Sequence, residues 1–397
     1  MSGNKVRRHD LDWLRALVIL IVFVFHCGRF FDTDGWHVKN PTRYEAAQVW
    51  TTFLACWMMP LIFVISGAST WYALKGKAIS RFMKDRAFRL LTPLVVGMFT
   101  HVAVQVYLEK KTQAGFKGSF LEFYPQYFNG FYPWTGNFAW MGFHLWYLEA
   151  LFLLTALVLP LLIWLQAQRG EALLRRLDAV ASRPWVLVLA AAPMAVLFAA
   201  LNPDTFIGMR SFGGWSLLIY PWFFLYGFLL PGCPKVEAAL ERNWKQILGF
   251  GAVCVLAVLG IWKGVGDPNY PSAYYGWLHA LFTLASWSII LGLLGVAKAK
   301  LSFNHRRLSA INEAVLPFYA LHQTVILVLG YFIVFRPMPD FLKFVIILLL
   351  SLAGTLVIYV GLIRPFAVMR ALFGMNPEAL RVADAAPADR PTLLVRG

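Results

Sequence analysis

Charged side chains are scarce in this sequence. Lysine, arginine, aspartate and glutamate make up 14% of its 397 residues, whereas soluble domains contain about 25%. Hydrophobic residues account for 59% of the chain, and its mean hydropathy is +0.61. This composition excludes an ordinary soluble domain. It predicts an integral membrane protein of the all-α class, because long apolar segments in lipid satisfy their backbone polar groups as helices.

Cysteine is also rare, with four residues in the whole chain. Cys27, Cys56, Cys233 and Cys254 show neither paired metal-ligand spacing nor the density of a disulfide framework. We interpret them as small apolar residues and expect no metal site. A disulfide between Cys27 and Cys56, near the outer face, is the alternative.

Ten apolar segments are present, so the chain is predicted to be polytopic with about ten transmembrane helices. Their approximate bounds are 13–32, 50–74, 88–108, 144–166, 185–201, 212–230, 246–263, 276–296, 312–335 and 341–363. The first segment follows basic residues as a signal peptide does, but no small-residue cleavage site comes after it. We therefore expect it to be retained as the first span.

The basic residues between these segments divide unequally between the two sides of the predicted membrane. One side receives 25 Lys and Arg residues and the other only 8. By the positive-inside rule the richer side is cytoplasmic, and both termini belong to it. The net charge of +16 is thus a signal of topology, which predicts the lipid bilayer and no nucleic acid as a partner.

The domain organisation is predicted to be simple. Residues 1–374 form one membrane domain of ten helices, without a visible internal repeat. Residues 375–397 are rich in Ala, Pro and charge, lack an apolar period, and are predicted to be a disordered cytoplasmic tail. The sequence gives no indication of an oligomeric state.

The first apolar segment carries ionisable residues. Arg15 and His26 are eleven positions apart, which places them on one helix face, roughly 16 Å apart along the axis. Arg29 falls near the same face, and Asp12 lies one turn before Arg15. The arginines alone are compatible with side chains that reach the two interfaces. A histidine as deep as His26 indicates a functional site, although a hydrogen-bonded core histidine is the alternative.

Histidines recur in the outer half of the predicted membrane. With the orientation above, six of the eight histidines lie between the mid-membrane plane and the outer face. As a set they predict a polar cavity in which proton transfer near neutral pH is possible. These residues are His26, His37, His101, His144, His279 and His322. For His101 and His279 we favour a packing role.

A basic stretch precedes the third segment. Arg86 and Arg89 are three residues apart and share a helix face. Two guanidinium groups in this arrangement can bind phosphates, or they can contact anionic lipid headgroups and act as an anchor. Their spacing alone favours the anchor.

An aromatic-rich stretch occupies the loop of residues 109–143, which is predicted to be outer. Its second half interleaves aromatic residues with Gly, Asn and Pro. Either an interfacial aromatic girdle or a platform on which sugar rings stack would use such a stretch.

Several short motifs together resemble the acyltransferase 3 family of membrane acyltransferases. Arg15 and His26 in a first span preceded by DLDWLR are similar to the opening of that family. The other matching motifs are PLIFVISG (Pro60–Gly67), the Arg-x-x-Arg pair Arg86 and Arg89, HLWYL (His144–Leu148) and LPFYALHQ (Leu316–Gln323). The stretch GWHV (Gly35–Val38), with HLWYL, most resembles the members of the family that succinylate periplasmic glucans.

The resemblance implies a transfer reaction across the bacterial inner membrane. An acyl group, acetyl or succinyl, would move from cytoplasmic acyl-CoA to a hydroxyl of an extracytoplasmic glycan. Arg15, Arg86 and Arg89 would hold the CoA phosphates, and His26 would act as general base. A transient acyl-histidine is the alternative. No metal is implied.

Further roles follow from the same resemblance. Glu149 is the best remote candidate to orient His26, with helix packing as its alternative. Ser66, His322 and Tyr319 would donate hydrogen bonds to the thioester oxygen, or serve structure alone. The expected contacts of the acceptor are Trp36, His37, His144, Trp146 and Tyr319.

A transporter of a small polar or anionic solute is the alternative function. Ten spans with intramembrane charge and prolines inside helices suit such a protein. However, no matching pair of broken segments marks two inverted halves, and the ionisable residues concentrate on one span. With the family resemblance, an enzyme is favoured.

Overall fold

The computed structural model describes residues 7–266 and 268–377, and within these ranges it contains helices and no β-strand. The α-helices are α1 (His9–Gly28), α2 (Glu45–Leu74), α3 (Ile79–Phe99), α4 (His101–Gln113), α5 (Phe120–Tyr127), α6 (Trp146–Gln166), α7 (Gln168–Ala181), α8 (Pro184–Leu189), α9 (Ala192–Ala200), α10 (Tyr220–Leu229), α11 (Pro234–Val265), α12 (Ala273–Lys300), α13 (Leu308–Ile333), α14 (Asp340–Ile358) and α15 (Ala367–Leu372). The predicted all-α class is confirmed for the described residues.

Seven helices in these ranges are long and apolar enough to cross a membrane, which agrees with a multi-pass integral membrane protein. The number rises to nine if two bent pairs each form one span. The first pair is α3 with α4, bent by 40°. The second joins α7 to the segment Pro184–Ala200, bent by 115°.

The predicted count of ten differs from this range because of the third, fifth and sixth segments. The third is the bent pair α3 and α4. The fifth is divided between α8 and α9. The sixth contains α10, whose 10 residues span only about 15 Å. The count of ten and the cytoplasmic termini therefore stay predictions. Of the predicted tail, only residues 375–377 lie among the described residues.

Helix α1 occupies a central position in the bundle. It packs against α2, α12, α13 and α14, and α13 packs in turn against α4 and α14. Val18, Val22, Phe23 and Cys27 of α1 are almost completely buried. Leu17 and Leu20 of the same helix are exposed, so α1 has one face in the protein core and one face outside it. We call the Arg15 end of α1 the inner side and the His26 end the outer side, after the predicted topology.

Helices α2 and α10 approach each other closely through a pair of glycines. A Cβ atom on Gly67 would lie 2.0 Å from the carbonyl oxygen of Phe224. A Cβ atom on Gly227 would lie 1.9 Å from the carbonyl oxygen of Val64. Small residues allow this kind of close contact between membrane helices. The glycine of the PLIFVISG motif thus has a packing role.

Candidate active site

Three histidines from three helices form a cluster. His26 comes from α1, His144 from the 3-10 turn Phe143–Leu145 before α6, and His322 from α13. The ring centroids of His26 and His322 are 5.0 Å apart, and those of His144 and His322 are 5.3 Å apart. The structure therefore brings together three of the histidines that the sequence places in the outer half.

Backbone carbonyls determine which ring nitrogen of each histidine carries the proton. His26 Nδ1 lies 2.8 Å from the carbonyl oxygen of Val22, and His322 Nδ1 lies 2.7 Å from that of Tyr319. His144 Nε2 lies 3.0 Å from that of Ala320. A carbonyl only accepts hydrogen bonds, so each of these nitrogens is a donor. In the neutral rings, Nε2 of His26 and Nε2 of His322 consequently hold lone pairs.

The two lone pairs have different surroundings. Nε2 of His322 lies 3.2 Å from Nδ1 of His26 and shares its proton with the Val22 carbonyl. His322 is completely buried, and both of its ring nitrogens are engaged. His26 borders a cavity, and no hydrogen bond engages its Nε2 within the described chain. His26 Nε2 is therefore the ring nitrogen of this pair that can take a proton from a ligand.

The cavity next to His26 has a volume of about 1160 Å³. His144, Tyr319 and Gln323 border it from the bundle, and Trp146 from the start of α6. Its other walls include residues of the outer loops. Those loop residues include Arg29, Trp36, His37, Tyr132, Trp140 and Arg210. A cavity with polar and aromatic side chains in its walls is thus present at the His26 end of α1.

The loop after α1 is held against this cavity by α4. Gln113 donates hydrogen bonds to the carbonyl oxygens of Trp36, at 2.6 Å, and of His37, at 3.0 Å. The Trp36 ring lies 6.3 Å from the His26 ring. Trp36 and His37 therefore border the cavity beside His26, and their contact with an acceptor stays a prediction.

Glu109 holds residues of the cavity wall in place, and the sequence analysis did not predict this role. Its carboxylate accepts hydrogen bonds from His37 Nδ1 and from the Tyr132 hydroxyl, the latter at 2.8 Å. Burial and the neighbouring carboxylate raise the pKa of Tyr132. Glu109 thereby ties two distant loops together at the cavity. Because its partners are 72 and 23 residues away, no local motif in the sequence marks it.

The inner arginines lie on the other side of the cluster. Arg15 donates to Ser69 Oγ at 2.5 Å, and Arg86 donates to Thr70 Oγ1 at 3.1 Å. The Nε and Nη2 atoms of Arg86 are buried without a hydrogen-bond partner. Buried orphan donors are unusual in folded proteins. Protein atoms cover both nitrogens, so their burial favours neither a lipid headgroup nor a phosphate, and both interpretations of Arg86 stay open.

Arg89 differs from Arg86, because its side chain is exposed. Both interpretations of Arg89, phosphate binding and lipid contact, stay open. Arg29, on the outer side, pairs with Asp32 at 2.6 Å. It is therefore part of a loop network and not of the arginine group on the inner side.

Polar side chains connect the arginines with the histidines. Thr70 Oγ1, the partner of Arg86, donates to the carbonyl oxygen of Ser66 at 2.7 Å. Ser66 Oγ and the Tyr147 hydroxyl are 2.6 Å apart. The Tyr147 ring meets the Tyr319 ring edge to face, with centroids 5.9 Å apart, and the Tyr319 hydroxyl donates to the His144 carbonyl oxygen.

Glu149 has no contact that would orient His26. It is half-buried in α6, and its Oε2 atom has no hydrogen-bond partner. The Val22 carbonyl holds His26 Nδ1 instead. His322 belongs to the cluster, and Ser66 and Tyr319 lie near it. Each of the three side chains already shares a hydrogen bond with a protein group.

His101 and His279 have packing partners, which agrees with the role favoured for them. The His101 ring stacks on Phe373 at 6.5 Å between centroids. His279 contacts Arg210 and Tyr275. It also borders the cavity. The four cysteines are buried and unpaired. Among the described residues, no group of three His, Cys, Asp or Glu side chains could hold a metal ion.

Comparison with known proteins identifies this multi-pass helical protein as a membrane acyltransferase and establishes its family. The acyltransferase domain of the acyltransferase 3 family matches residues 8–360, nearly the whole chain. The chain therefore belongs to this family.

Its curated relatives include glucans biosynthesis protein C of Salmonella heidelberg (strain SL476), Salmonella agona (strain SL483) and Salmonella enteritidis PT4 (strain P125109). Each is 23% identical to this chain over an alignment of 398 positions. The alignment covers 96% of this chain and 98% of the relative. This is the similarity that GWHV and HLWYL indicate. No solved structure matches the chain.

Proposed function

We propose that this protein transfers an acyl group, acetyl or succinyl, from cytoplasmic acyl-CoA to a hydroxyl of an extracytoplasmic glucan in the bacterial inner membrane. The observation that carries the proposal is the geometry of His26. Its Nδ1 is fixed as a donor by Val22, so its Nε2 presents a lone pair at a cavity wide enough for a sugar. The name of the relatives in Salmonella suggests a glucan as the acceptor.

The donor is assigned to the inner side. The buried, unpartnered nitrogens of Arg86 offer charge-assisted hydrogen bonds to a phosphate of CoA. Arg15 lies on the same helix as His26, roughly 16 Å away along the axis, which is of the order of a pantetheine arm. The line of Thr70, Ser66, Tyr147 and Tyr319 marks the path along which the thioester would reach His26.

The proposed transfer passes through one tetrahedral intermediate. The acceptor hydroxyl oxygen bonds to the thioester carbonyl carbon, and its proton passes to His26 Nε2. Collapse of the tetrahedral intermediate breaks the carbon–sulfur bond, and the CoA thiolate takes the proton from His26. An ester and free CoA thiol result, and His26 is neutral again. During the step the lone pair of His322 Nε2, 3.2 Å from His26 Nδ1, stabilises the transient imidazolium.

The decisive variant is His26→Asn in the full-length purified protein. Asn places an amide N–H where His26 carries Nδ1, so the hydrogen bond to Val22 can persist while the base is lost. We expect transfer to gluco-oligosaccharides from acetyl-CoA or succinyl-CoA to fall by about 10² or more, since a positioned base contributes about 10²–10⁴. Mass spectrometry of the oligosaccharides measures the product.

The control is His305→Asn, because His305 is exposed and lies outside the cluster. Abundance, detergent-stable folding and acyl-CoA binding are measured for both variants. A well-folded His26→Asn protein that transfers acyl groups at the wild-type rate would contradict the proposed base. Wild-type protein that transfers neither acyl group to any glucan would contradict the function itself.

A further inference from the structure

One face of α13 forms part of the cavity wall. Tyr319 and Gln323 are four residues apart, which places them one above the other on a helix, and both border the cavity. Gln323 is only 3% exposed. A buried polar side chain at a cavity wall requires an account of each of its hydrogen-bonding atoms.

The amide nitrogen of Gln323 is committed to the protein. It donates to Gln105 Oε1 at 2.8 Å, and Gln105 Nε2 donates to Thr324 Oγ1 at 2.7 Å. Thr324 Oγ1 donates to the carbonyl oxygen of His101 at 3.2 Å. Gln105, Gln323 and Thr324 are all buried.

This chain of hydrogen bonds has one direction. The His101 carbonyl can only accept, so the Thr324 hydroxyl donates to it and accepts from Gln105. Gln105 must then present its oxygen to Gln323, and Gln323 must present its nitrogen to Gln105. The remaining polar atom of Gln323, Oε1, is left for the cavity. Within the described chain no group donates to it.

Gln48 is a second glutamine at the same cavity, and both the oxygen and the nitrogen of its amide have hydrogen-bond partners. Its Oε1 accepts from Thr33 Oγ1 and from the backbone N–H of Asp34, each at 3.1 Å. Its Nε2 donates to Asp34 Oδ2 at 2.9 Å. Gln48 therefore serves the loop, whereas Gln323 keeps an acceptor for a ligand.

We infer that Gln323 is a binding residue for the acceptor and accepts a hydrogen bond from one of its hydroxyl groups. A carbonyl oxygen at this wall is selective, because the thioester oxygen and a succinyl carboxylate are acceptors too and would be repelled. The attacked hydroxyl gives its only proton to His26, so Gln323 binds a different hydroxyl of the same sugar. This inference rests on the proposed function and adds which part of the acceptor is recognised.

The test compares acceptors that lack one hydroxyl. Wild-type protein is assayed with a gluco-oligosaccharide and with its monodeoxy analogues at saturating acyl-CoA. The analogue that lacks the attacked hydroxyl gives no product and is set aside. Among the others we expect at least one to show a kcat/KM about tenfold lower, as the net loss of one hydrogen bond implies. In Gln323→Leu the parent acceptor should lose the same factor, and the preference over that analogue should disappear. The KM for acyl-CoA should not change.

Two further variants sharpen the comparison. Gln323→Glu keeps an oxygen at the cavity. Gln105 can rotate its amide to donate to the carboxylate when Thr324 turns its hydroxyl proton from the His101 carbonyl to the Gln105 oxygen. We therefore expect the preference for the hydroxylated acceptor to return. Gln166→Leu is the control. It removes a glutamine amide that donates to the Trp71 carbonyl oxygen at the C-terminal end of α6, so the KM values for both substrates should stay at the wild-type level.

The outcomes separate the two proposals. Transfer by wild-type protein with equal kcat/KM for every monodeoxy analogue that keeps the attacked hydroxyl overturns this inference alone, even if Gln323→Leu does not fold. A folded Gln323→Leu protein that still prefers the hydroxylated acceptor overturns it as well and returns the glutamine pair to a structural role. No transfer to any glucan overturns the proposed function, and this inference falls with it.

Discussion

At the scale of single residues, the cluster shows how a backbone carbonyl determines which ring nitrogen of a histidine carries the proton. His26 lies on a helix, and its Nδ1 donates to the carbonyl of Val22, four residues earlier. This contact holds the ring without a carboxylate. A carbonyl partner adds no second charge to the membrane interior, whereas a carboxylate would be costly to bury there.

Arg86 offers a residue-scale prediction in which activity and stability separate. Its buried nitrogens without partners cost the apo protein free energy, since unsatisfied polar groups are expensive to bury. We expect Arg86→Gln to raise the KM for acyl-CoA about tenfold or more, because a charge-assisted hydrogen bond is worth about 1.5–3 kcal/mol. The same variant should be at least as resistant to heat as the wild type.

Arg81→Gln is the matched control, since Arg81 lies on the same helix and is exposed. Initial rates at varied acyl-CoA and thermal midpoints in detergent are measured side by side. An unchanged KM together with a lower midpoint in Arg86→Gln would assign Arg86 to structure.

At the scale of elements, the PLIFVISG motif combines two tasks on adjacent residues. Ser66 faces the Tyr147 hydroxyl at 2.6 Å, on the path between the arginines and the histidines. Gly67 lets α10 approach α2. The two residues point in different directions because successive helical positions are 100° apart. The motif is therefore explained by one contact toward the site and one toward a neighbouring helix.

The close approach of α2 and α10 predicts a specific cost for one methyl group. Gly67→Ala would place its Cβ 2.0 Å from the Phe224 carbonyl oxygen, so the helices must separate. We expect a loss of about 1–3 kcal/mol, as is common for overpacked sites, seen as a lower thermal midpoint in detergent. Gly260→Ala is the control, because a Cβ there meets no atom within 4 Å. Equal midpoints for the two variants would contradict this packing role.

At the scale of the whole molecule, the bundle places two chemically different regions at the two ends of α1. Arginine side chains gather toward the inner side, and histidines and aromatic side chains gather around the outer cavity. Such a division suits a reaction whose two substrates arrive from opposite sides. Such a reaction requires that the two regions face different compartments.

The predicted topology can be tested by cysteine labelling of intact cells. The native cysteines are all buried, so the background with a membrane-impermeant maleimide should be low. Lys117→Cys, at an exposed loop position after α4, should be labelled from outside. Arg175→Cys, exposed on α7, should react only after the cells are permeabilised. Labelling with the reverse pattern would invert the orientation, and with it the assignment of donor and acceptor sides.

The sequence alone determined the features that depend on local pattern. The helical class, the apolar segments and the shared face of Arg15 and His26 follow from composition and from a period of 3.6 residues. The family follows from motifs that are local as well. Where a segment breaks, as between α8 and α9, or is short, as α10 is, hydropathy alone does not predict how the chain crosses the membrane.

Only the tertiary structure decided which side chains meet. His26 and His322 are 296 residues apart in the chain, yet their nitrogens lie 3.2 Å apart, and Glu109 reaches loops on both sides of it in sequence. The direction of the Gln323 amide depends on the carbonyl oxygen of His101, which is reached through Gln105 and Thr324 by three hydrogen bonds. Such contacts depend on how helices pack in three dimensions, and the chain encodes that packing through non-local contacts that no single segment contains.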